Sequence, residues 1–208
     1  GTKTEVDVIN QLLKSSGYQV SELIQRDATE TNLKSARQVS VLHIATHGYF
    51  LKDVEKTNWP LGVHADNAKD NVLLRSGLML TGASEADKAK TGLDSTNNGI
   101  MTSYEAMNLD LKGTSLVVLS ACETGLGEVK AGEGVYGLQR AFLVAGADAI
   151  VMSLWKVDDA ATQQLMNNFY SNWVKSGDKQ KAFRQAQVQL MTKFKEPLYW
   201  GAFVMMEN

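Results

Sequence analysis

The chain has 208 residues, of which 44% are hydrophobic and 21% are charged, and its formal net charge is −2. This composition is typical of a soluble globular protein that is long enough to bury a substantial core, and the near-neutral charge excludes electrostatic attraction to nucleic acid or to an anionic membrane. The best transmembrane candidate, residues 141–155, is interrupted by Gly146 and Asp148. A single cysteine cannot form an internal disulfide, which fits a reducing compartment, so we expect a cytoplasmic protein.

The first 48 residues predict one strand–helix–strand unit. Apolar residues at helical spacing predict a helix over residues 5–15, and residues 18–24 are typical of a strand. The segment Asp27-Ala28-Thr29-Glu30 favours the start of a helix that covers residues 29–38. An apolar run over residues 41–48 then predicts a buried strand, so this region is typical of a parallel sheet.

Residues 50–99 predict a loop insertion, because Asn, Pro, Gly and Asp break the pattern there. Within it, residues 76–81 are typical of a short strand. A loop of this length inside a compact domain indicates either a mobile segment or a functional element, such as a gate or a partner-binding segment. A short capped helix over residues 102–108 and a buried strand over residues 116–120 follow.

The last third of the chain alternates helices and strands. The pattern predicts helices over residues 133–145, 159–174 and 179–193, and strands over 149–154 and 199–205. We therefore expect an α/β fold with a mostly parallel β-sheet and helices on both faces.

A histidine and the only cysteine each end a buried strand of this predicted sheet. His47 closes the apolar run that begins at Val41, and Cys122 follows the run that begins at Leu116. Taken alone, a lone cysteine is more typical of a small buried hydrophobe, and a lone histidine of a structural imidazole. Because neighbouring parallel strands bring their carboxyl ends together, the pair favours a cysteine nucleophile and its general base.

Gly48 follows the candidate base directly. Attack on a peptide carbonyl creates an oxyanion, which backbone N–H groups stabilise. The N–H groups of Gly48 and Cys122 are the candidates for this oxyanion hole. The alternative is that Gly48 only permits a tight turn.

Four ordered motifs resemble the CHAT family of caspase-like domains. They are His47-Gly48, the segment Ser120-Ala121-Cys122-Glu123-Thr124-Gly125, Gly132-Glu133-Gly134, and the segment Ser153-Leu154-Trp155-Lys156-Val157-Asp158-Asp159. The resemblance extends to the closing residues 199–204. It implies a caspase-like fold over residues 1–208, related to separase and commonly attached to tetratricopeptide repeats. It also implies a cysteine peptidase with His47 as base and Cys122 as nucleophile, of the kind used in regulated proteolysis such as bacterial defence.

The same resemblance implies a substrate pocket formed after the third buried strand. The separase motif resembles residues 155–159, and the last aspartate of that motif lines the pocket. It corresponds to Asp159, and this predicts cleavage after Arg or Lys. Asp158 shares this edge, and one of the two aspartates is expected to cap the following helix while the other faces the cleft. Trp155 is expected either to form a wall of the pocket or to pack in the core.

This chemistry requires no cofactor, and three scattered histidines with one cysteine predict no metal site. The expected partners are a protein or peptide substrate and an attached tetratricopeptide repeat domain or other activating partner. Two alternatives remain. The G-x-G-x-x-G segment over residues 132–137 is a weak nucleotide-binding signal, because it lies too far from the preceding strand. The stronger alternative is a catalytically silent or latent caspase-like interaction module.

Overall fold

The structure is a computed structural model that describes residues 2–50, 72–74, 76–83, 97–120, 133–155 and 157–208. Its α-helices are α1 (Thr2–Ser15), α2 (Glu30–Lys34), α3 (Ser103–Ala106), α4 (Glu133–Val144), α5 (Asp159–Ser176), α6 (Lys179–Lys193) and α7 (Pro197–Trp200). Its strands are β1 (Val41–Ile44), β2 (His47–Phe50), β3 (Ser76–Met79), β4 (Ile100–Thr102), β5 (Leu116–Leu119), β6 (Ala149–Ser153) and β7 (Phe203–Glu207).

The main sheet has the strand order β1-β5-β6-β7. The first three strands are parallel, and β7 closes the sheet antiparallel to β6. Ile44 lies opposite Leu119, and Leu119 lies opposite Met152, so β1, β5 and β6 reach the same edge of the sheet in register. The mixed α/β fold with a mainly parallel sheet is therefore confirmed.

Each face of the main sheet has its own hydrophobic core. Side chains alternate along a strand, so Val117 and Val118 enter different cores. One core, the helical core, packs the sheet against α1, α5 and α6. The other, the hairpin core, includes residues of α2, α3 and α4 together with Leu78 and Met101 of β3 and β4. Helices therefore cover both faces, as expected.

A second, three-stranded sheet carries His47. Its order is β2-β3-β4, and both pairs are antiparallel. His47 lies opposite Met79, and Met79 lies opposite Ile100. The prediction of one continuous strand over residues 41–48 was therefore wrong: β1 ends at Ile44, and the chain enters the other sheet three residues later, at His47.

Local capping signals explain why the two long helices have the predicted starts. The Asp158 carboxylate accepts hydrogen bonds from the backbone of Ala160 and Ala161, and the Asp178 carboxylate accepts one from Lys181. These side chains satisfy N–H groups that the first turn of a helix leaves without partners. Gly177 ends α5 with a φ of 70°, a left-handed conformation that favours glycine.

Three other expectations needed correction. Residues 18–24 form no strand, so the predicted strand–helix–strand unit is absent from this part of the chain. Helix α2 ends at Lys34 rather than at residue 38, where Gln38 adopts a left-handed φ of 55°. The predicted strand over residues 199–205 begins only at Phe203, because Pro197 starts a short helix before it.

Candidate functional site

The strand ends that precede the proposed dyad are adjacent in the main sheet. Beyond the Ile44–Leu119 pair, the backbone N–H of Ser120 donates a 2.9 Å hydrogen bond to the carbonyl of Ile44. His47 lies three residues past Ile44 (47 − 44), and Cys122 lies three residues past Leu119 (122 − 119). The two residues therefore follow neighbouring strands at the same offset from one pair of the ladder.

His47 is the first residue of β2, and its side chain is exposed. The hydroxyl of Thr46 donates a hydrogen bond to the carbonyl of Met79, the residue opposite His47. Gly48 is buried and lies opposite Leu78, so it belongs to a strand and not to a tight turn. An exposed imidazole on a paired strand is available to take a proton from a neighbouring group.

Cys122 lies outside the described residues, as do all of residues 121–132. Ser120 is the last described residue before them and directly follows β5. Its side chain is buried, and its hydroxyl has no hydrogen-bond partner among the residues that the structure describes. The roles of Cys122 as nucleophile and oxyanion donor remain predictions.

The two aspartates at the start of α5 differ in structure. Asp158 caps the helix through one carboxylate oxygen, at 2.9 Å from the nitrogen of Ala160 and 3.1 Å from that of Ala161. Asp159 is the first residue of the helix and is exposed. The expectation that one of the two caps the helix is thus met by Asp158. Both follow β6, the strand on the other side of β5 from β1.

Trp155 joins the end of β6 to the C-terminal segment. Its indole N–H donates a 3.0 Å hydrogen bond to the carbonyl of Leu198 in α7, and its ring packs against the helical core. The Trp155 side chain is partly buried, so the core role is present, and a role in the pocket wall remains a prediction.

His43 is held in a buried polar chain that sequence reasoning did not find. Its Nε2 lies 3.0 Å from Glu5 of α1, and its Nδ1 lies 3.0 Å from the hydroxyl of Tyr170 in α5. A carboxylate only accepts hydrogen bonds, so Nε2 donates to Glu5, while the second bond joins Nδ1 to the Tyr170 hydroxyl, which can donate or accept. The partners lie 38 and 127 residues away in sequence, and no local pattern connects them. His43 therefore has a structural role.

No helix among the described residues is both long and apolar enough to cross a membrane. Within the same residues, no group of three or more His, Cys, Asp or Glu side chains is placed to hold a metal ion.

A comparison with protein families identifies the family of this chain. A sequence model described as the CHAT domain matches residues 1–208. The chain belongs to the CHAT domain family. The match agrees with the caspase-like arrangement of this CHAT domain, in which a mainly parallel sheet is flanked by helices.

The CHAT domain is also similar to part of two curated relatives. Tetratricopeptide repeat protein 28 of Homo sapiens is 33% identical over 108 residues, and the protein of the same name from Mus musculus is 32% identical over 108 residues. Each alignment covers 51% of this chain and 4% of the relative. The chain therefore matches only a small part of these long relatives, which are named for their repeats.

Proposed function

We propose that this CHAT domain is a cysteine endopeptidase in which His47 is the general base and Cys122 is the nucleophile. The observation that carries the proposal is the equal three-residue offset of both from the Ile44–Leu119 pair. Strands in a sheet are about 4.8 Å apart, so residues that leave neighbouring strands at the same level start from nearby positions. Membership of a caspase-like family supports the same roles.

The proposed reaction proceeds in two steps. His47 takes the thiol proton, and the Cys122 sulfur bonds to the carbonyl carbon of the scissile peptide, whose oxygen accepts from the N–H groups of Gly48 and Cys122. The peptide C–N bond then breaks, and the leaving amine receives the proton from His47. Water attacks the resulting thioester, loses a proton to His47, and releases the acid product while the thiol is restored.

We further propose that Asp159 binds the side chain before the cleaved bond. Its carboxylate is exposed in the first turn of α5, directly after the helix cap that Asp158 forms. A carboxylate at this position favours Arg or Lys in the substrate. Asp158 and Trp155 would complete the edge of the pocket.

Turnover of fluorogenic peptides that end in Arg, Lys, Asp or Leu tests the proposal. Wild-type protein should cleave after Arg or Lys, and Cys122→Ala should abolish cleavage while the circular dichroism spectrum and melting temperature stay near those of wild type. Cleavage that survives in Cys122→Ala would refute the nucleophile. Asp159→Asn should lower kcat/KM for an Arg peptide by about tenfold, which corresponds to about 1.4 kcal/mol, relative to a Leu peptide in the same variant. Equal losses for both peptides would remove Asp159 from the pocket.

A second candidate function is a catalytically silent or latent interaction module. The name of the curated relatives describes a repeat and no catalytic activity, and this favours the candidate. Because Cys122 is the only cysteine in the chain, mass spectrometry of the intact protein reports its labelling directly. An Arg-based peptide that carries a thiol-reactive group should label a peptidase much faster than iodoacetamide does. Equal slow labelling by both would favour the silent module.

The proposed setting is a cytoplasmic protein in which an attached tetratricopeptide repeat domain or another partner regulates the site. The repeat names of the relatives support the attached domain. The predicted insertion over residues 50–99 is the proposed contact for such a partner. Of this insertion, β3 and a few flanking residues are described, and the remainder lies outside the described residues.

A further inference from the structure

A cluster of two carboxylates and one ammonium group joins α2 to the sheet that carries His47. Lys34 contacts Glu30 one helical turn before it, and its Nζ lies 3.1 Å from Oε1 of Glu105 in α3. The side chain of Glu30 is only 1% exposed, so this charge is almost fully removed from water. Burial of a carboxylate is costly unless each oxygen has a hydrogen-bond partner. Both oxygens of Glu30 have one.

The second oxygen of Glu30 holds the turn that begins β4. It accepts a 3.1 Å hydrogen bond from the backbone N–H of Gly99. Gly99 has a φ of 84°, and an added Cβ would lie 2.3 Å from the nitrogen of Ala83. The backbone therefore approaches this turn so closely that only glycine fits, and the Glu30 carboxylate fixes its N–H.

A short path leads from this turn to His47. The carbonyl of Gly99 accepts a 2.7 Å hydrogen bond from the N–H of Leu80. The preceding residue, Met79, lies between Ile100 and His47 in the sheet. The carbonyl of Met79 accepts a hydrogen bond from the Thr46 hydroxyl. Glu30 thus acts on the end of the sheet where His47 begins β2.

The segment just before α2 supports the same corner through two further bonds. The N–H of Thr81 donates to the carbonyl of Ala28 at 2.9 Å, and the Thr81 hydroxyl donates to the carbonyl of Gln25. Glu105 also completes a capping box with Thr102, the last residue of β4. The two carboxylates therefore hold Gly99, the residue before β4, and Thr102, the last residue of β4, in relation to α2.

The pKa values of the three groups in this cluster are shifted in different directions. Burial raises the pKa of Glu30 above its ordinary value, and the Glu105 charge adds to this, although Lys34 opposes it. Burial acts on Glu105 in the same direction, but hydrogen bonds from Thr102 and Lys34 outweigh it and lower the pKa of Glu105. Lys34 is the cation that both carboxylates share, and their hydrogen bonds raise its pKa despite burial.

We propose that Glu30 is a positioning residue for His47: through Gly99, Leu80 and Met79 it sets the placement of the strand that presents the imidazole. The catalytic consequence rests on the proposed function, in which His47 is the base. Near the transition state, a displacement of about 1 Å lowers rates by up to about a hundredfold. Glu30 makes no contact with substrate in this proposal, and it acts only through the sheet.

Three variants test the proposal. Glu30→Ala removes the acceptor of the Gly99 N–H, whereas Glu30→Gln keeps an oxygen that can accept it. Asp27→Asn is the matched control, because it removes one negative charge from an exposed side chain in the same segment. The readouts are the imidazole NMR resonance of His47, identified with His47→Gln, the exchange rate of the Leu80 amide, and peptide turnover.

We expect Glu30→Ala to shift the His47 resonance, to speed exchange of the Leu80 amide, and to lower kcat by about ten- to a hundredfold with little change in KM. Glu30→Gln should recover most of each effect, and Asp27→Asn should match wild type. If Glu30→Ala does not fold, the His47 resonance of Glu30→Gln should still move part of the way.

Two outcomes would overturn the proposal. One is an unchanged His47 resonance and Leu80 exchange rate in folded Glu30→Ala, and the other is an equal change in Asp27→Asn. If the wild type shows no turnover that depends on Cys122, the peptidase proposal fails. The resonance and the exchange rate then decide the positioning proposal by themselves.

Discussion

Tyr170→Phe isolates one hydrogen bond in the core that joins α1, β1 and α5. Tyr170 is fully buried, and its hydroxyl lies 3.0 Å from Nδ1 of His43. The substitution keeps the aromatic ring, whose centroid lies 5.2 Å from that of Phe169 and 6.1 Å from that of Trp173. Only the hydroxyl and its hydrogen bond are lost. The contribution of ring packing to the free energy of unfolding is therefore the same in wild type and variant.

The magnitude follows from what remains in the core. A hydrogen bond of this kind contributes about 1 kcal/mol net, and a buried donor or acceptor left without a partner costs about 1–3 kcal/mol. His43 keeps its bond to Glu5, so only Nδ1 loses its partner. We therefore expect Tyr170→Phe to lower the free energy of unfolding by about 1–3 kcal/mol. For a domain of this length, that corresponds to a fall in melting temperature of about 2–4 °C per kcal/mol.

Urea unfolding followed by circular dichroism measures the effect, with Tyr104→Phe as the matched control. The Tyr104 side chain is 53% exposed, so its variant should stay within about 0.5 kcal/mol of wild type. A double-mutant cycle with Glu5→Gln should show energetic coupling between Glu5 and Tyr170, which are joined through His43. If the Tyr170→Phe protein is as stable as the control, the hydrogen bond between Tyr170 and His43 is refuted.

Three further predictions concern other features. Asp158→Ala should lower the free energy of unfolding by about 1 kcal/mol, because the α5 cap is lost, and thermal unfolding with no change would exclude that cap. Gly99→Ala should lower stability by at least about 1–3 kcal/mol, because its φ is 84° and its Cβ would meet backbone; a neutral result in urea unfolding would contradict this geometry. Burial raises the pKa of both Tyr49 and Tyr170, with the Glu105 and Glu5 charges adding to it, so stability should be intact below about pH 10 and fall as the pH rises through the raised values. Alkaline titration of the unfolding free energy should show a smaller fall in Tyr170→Phe than in wild type, and equal falls would exclude Tyr170 as a contributor.

Elements with strong local signals were predicted well from the sequence. The run Leu116-Val117-Val118-Leu119 forms β5, because a β-branched apolar run suits a strand buried on both faces. Helix α6 has the predicted bounds, since Asp178 at its start caps it through its own side chain. In such segments the information lies within a few residues, and the tertiary structure agrees with it.

Elements that depend on distant partners were predicted less well. The run over residues 41–48 divides because Thr46 and His47 find their partners at Met79, more than thirty residues later. The pairing of His47 with Cys122 was proposed from strand ends and motifs, but the three-residue offset requires the register of β1 on β5, which no local pattern encodes. Glu30 gave only a helix-start signal, because its Gly99 contact lies 69 residues away.

The division of the interior into a helical core and a hairpin core separates the packing of α1, α5 and α6 from the packing that supports the His47 sheet. Val118 contributes to one and its neighbour Val117 to the other, so substitutions in the two cores act on different sets of neighbours and should be nearly additive. Protein engineers can therefore raise the melting temperature through α1, α5 and α6 while leaving untouched the side chains on which the His47 sheet rests. Over evolutionary time, the same separation would allow the helical core to change in sequence without altering the packing beneath the His47 sheet.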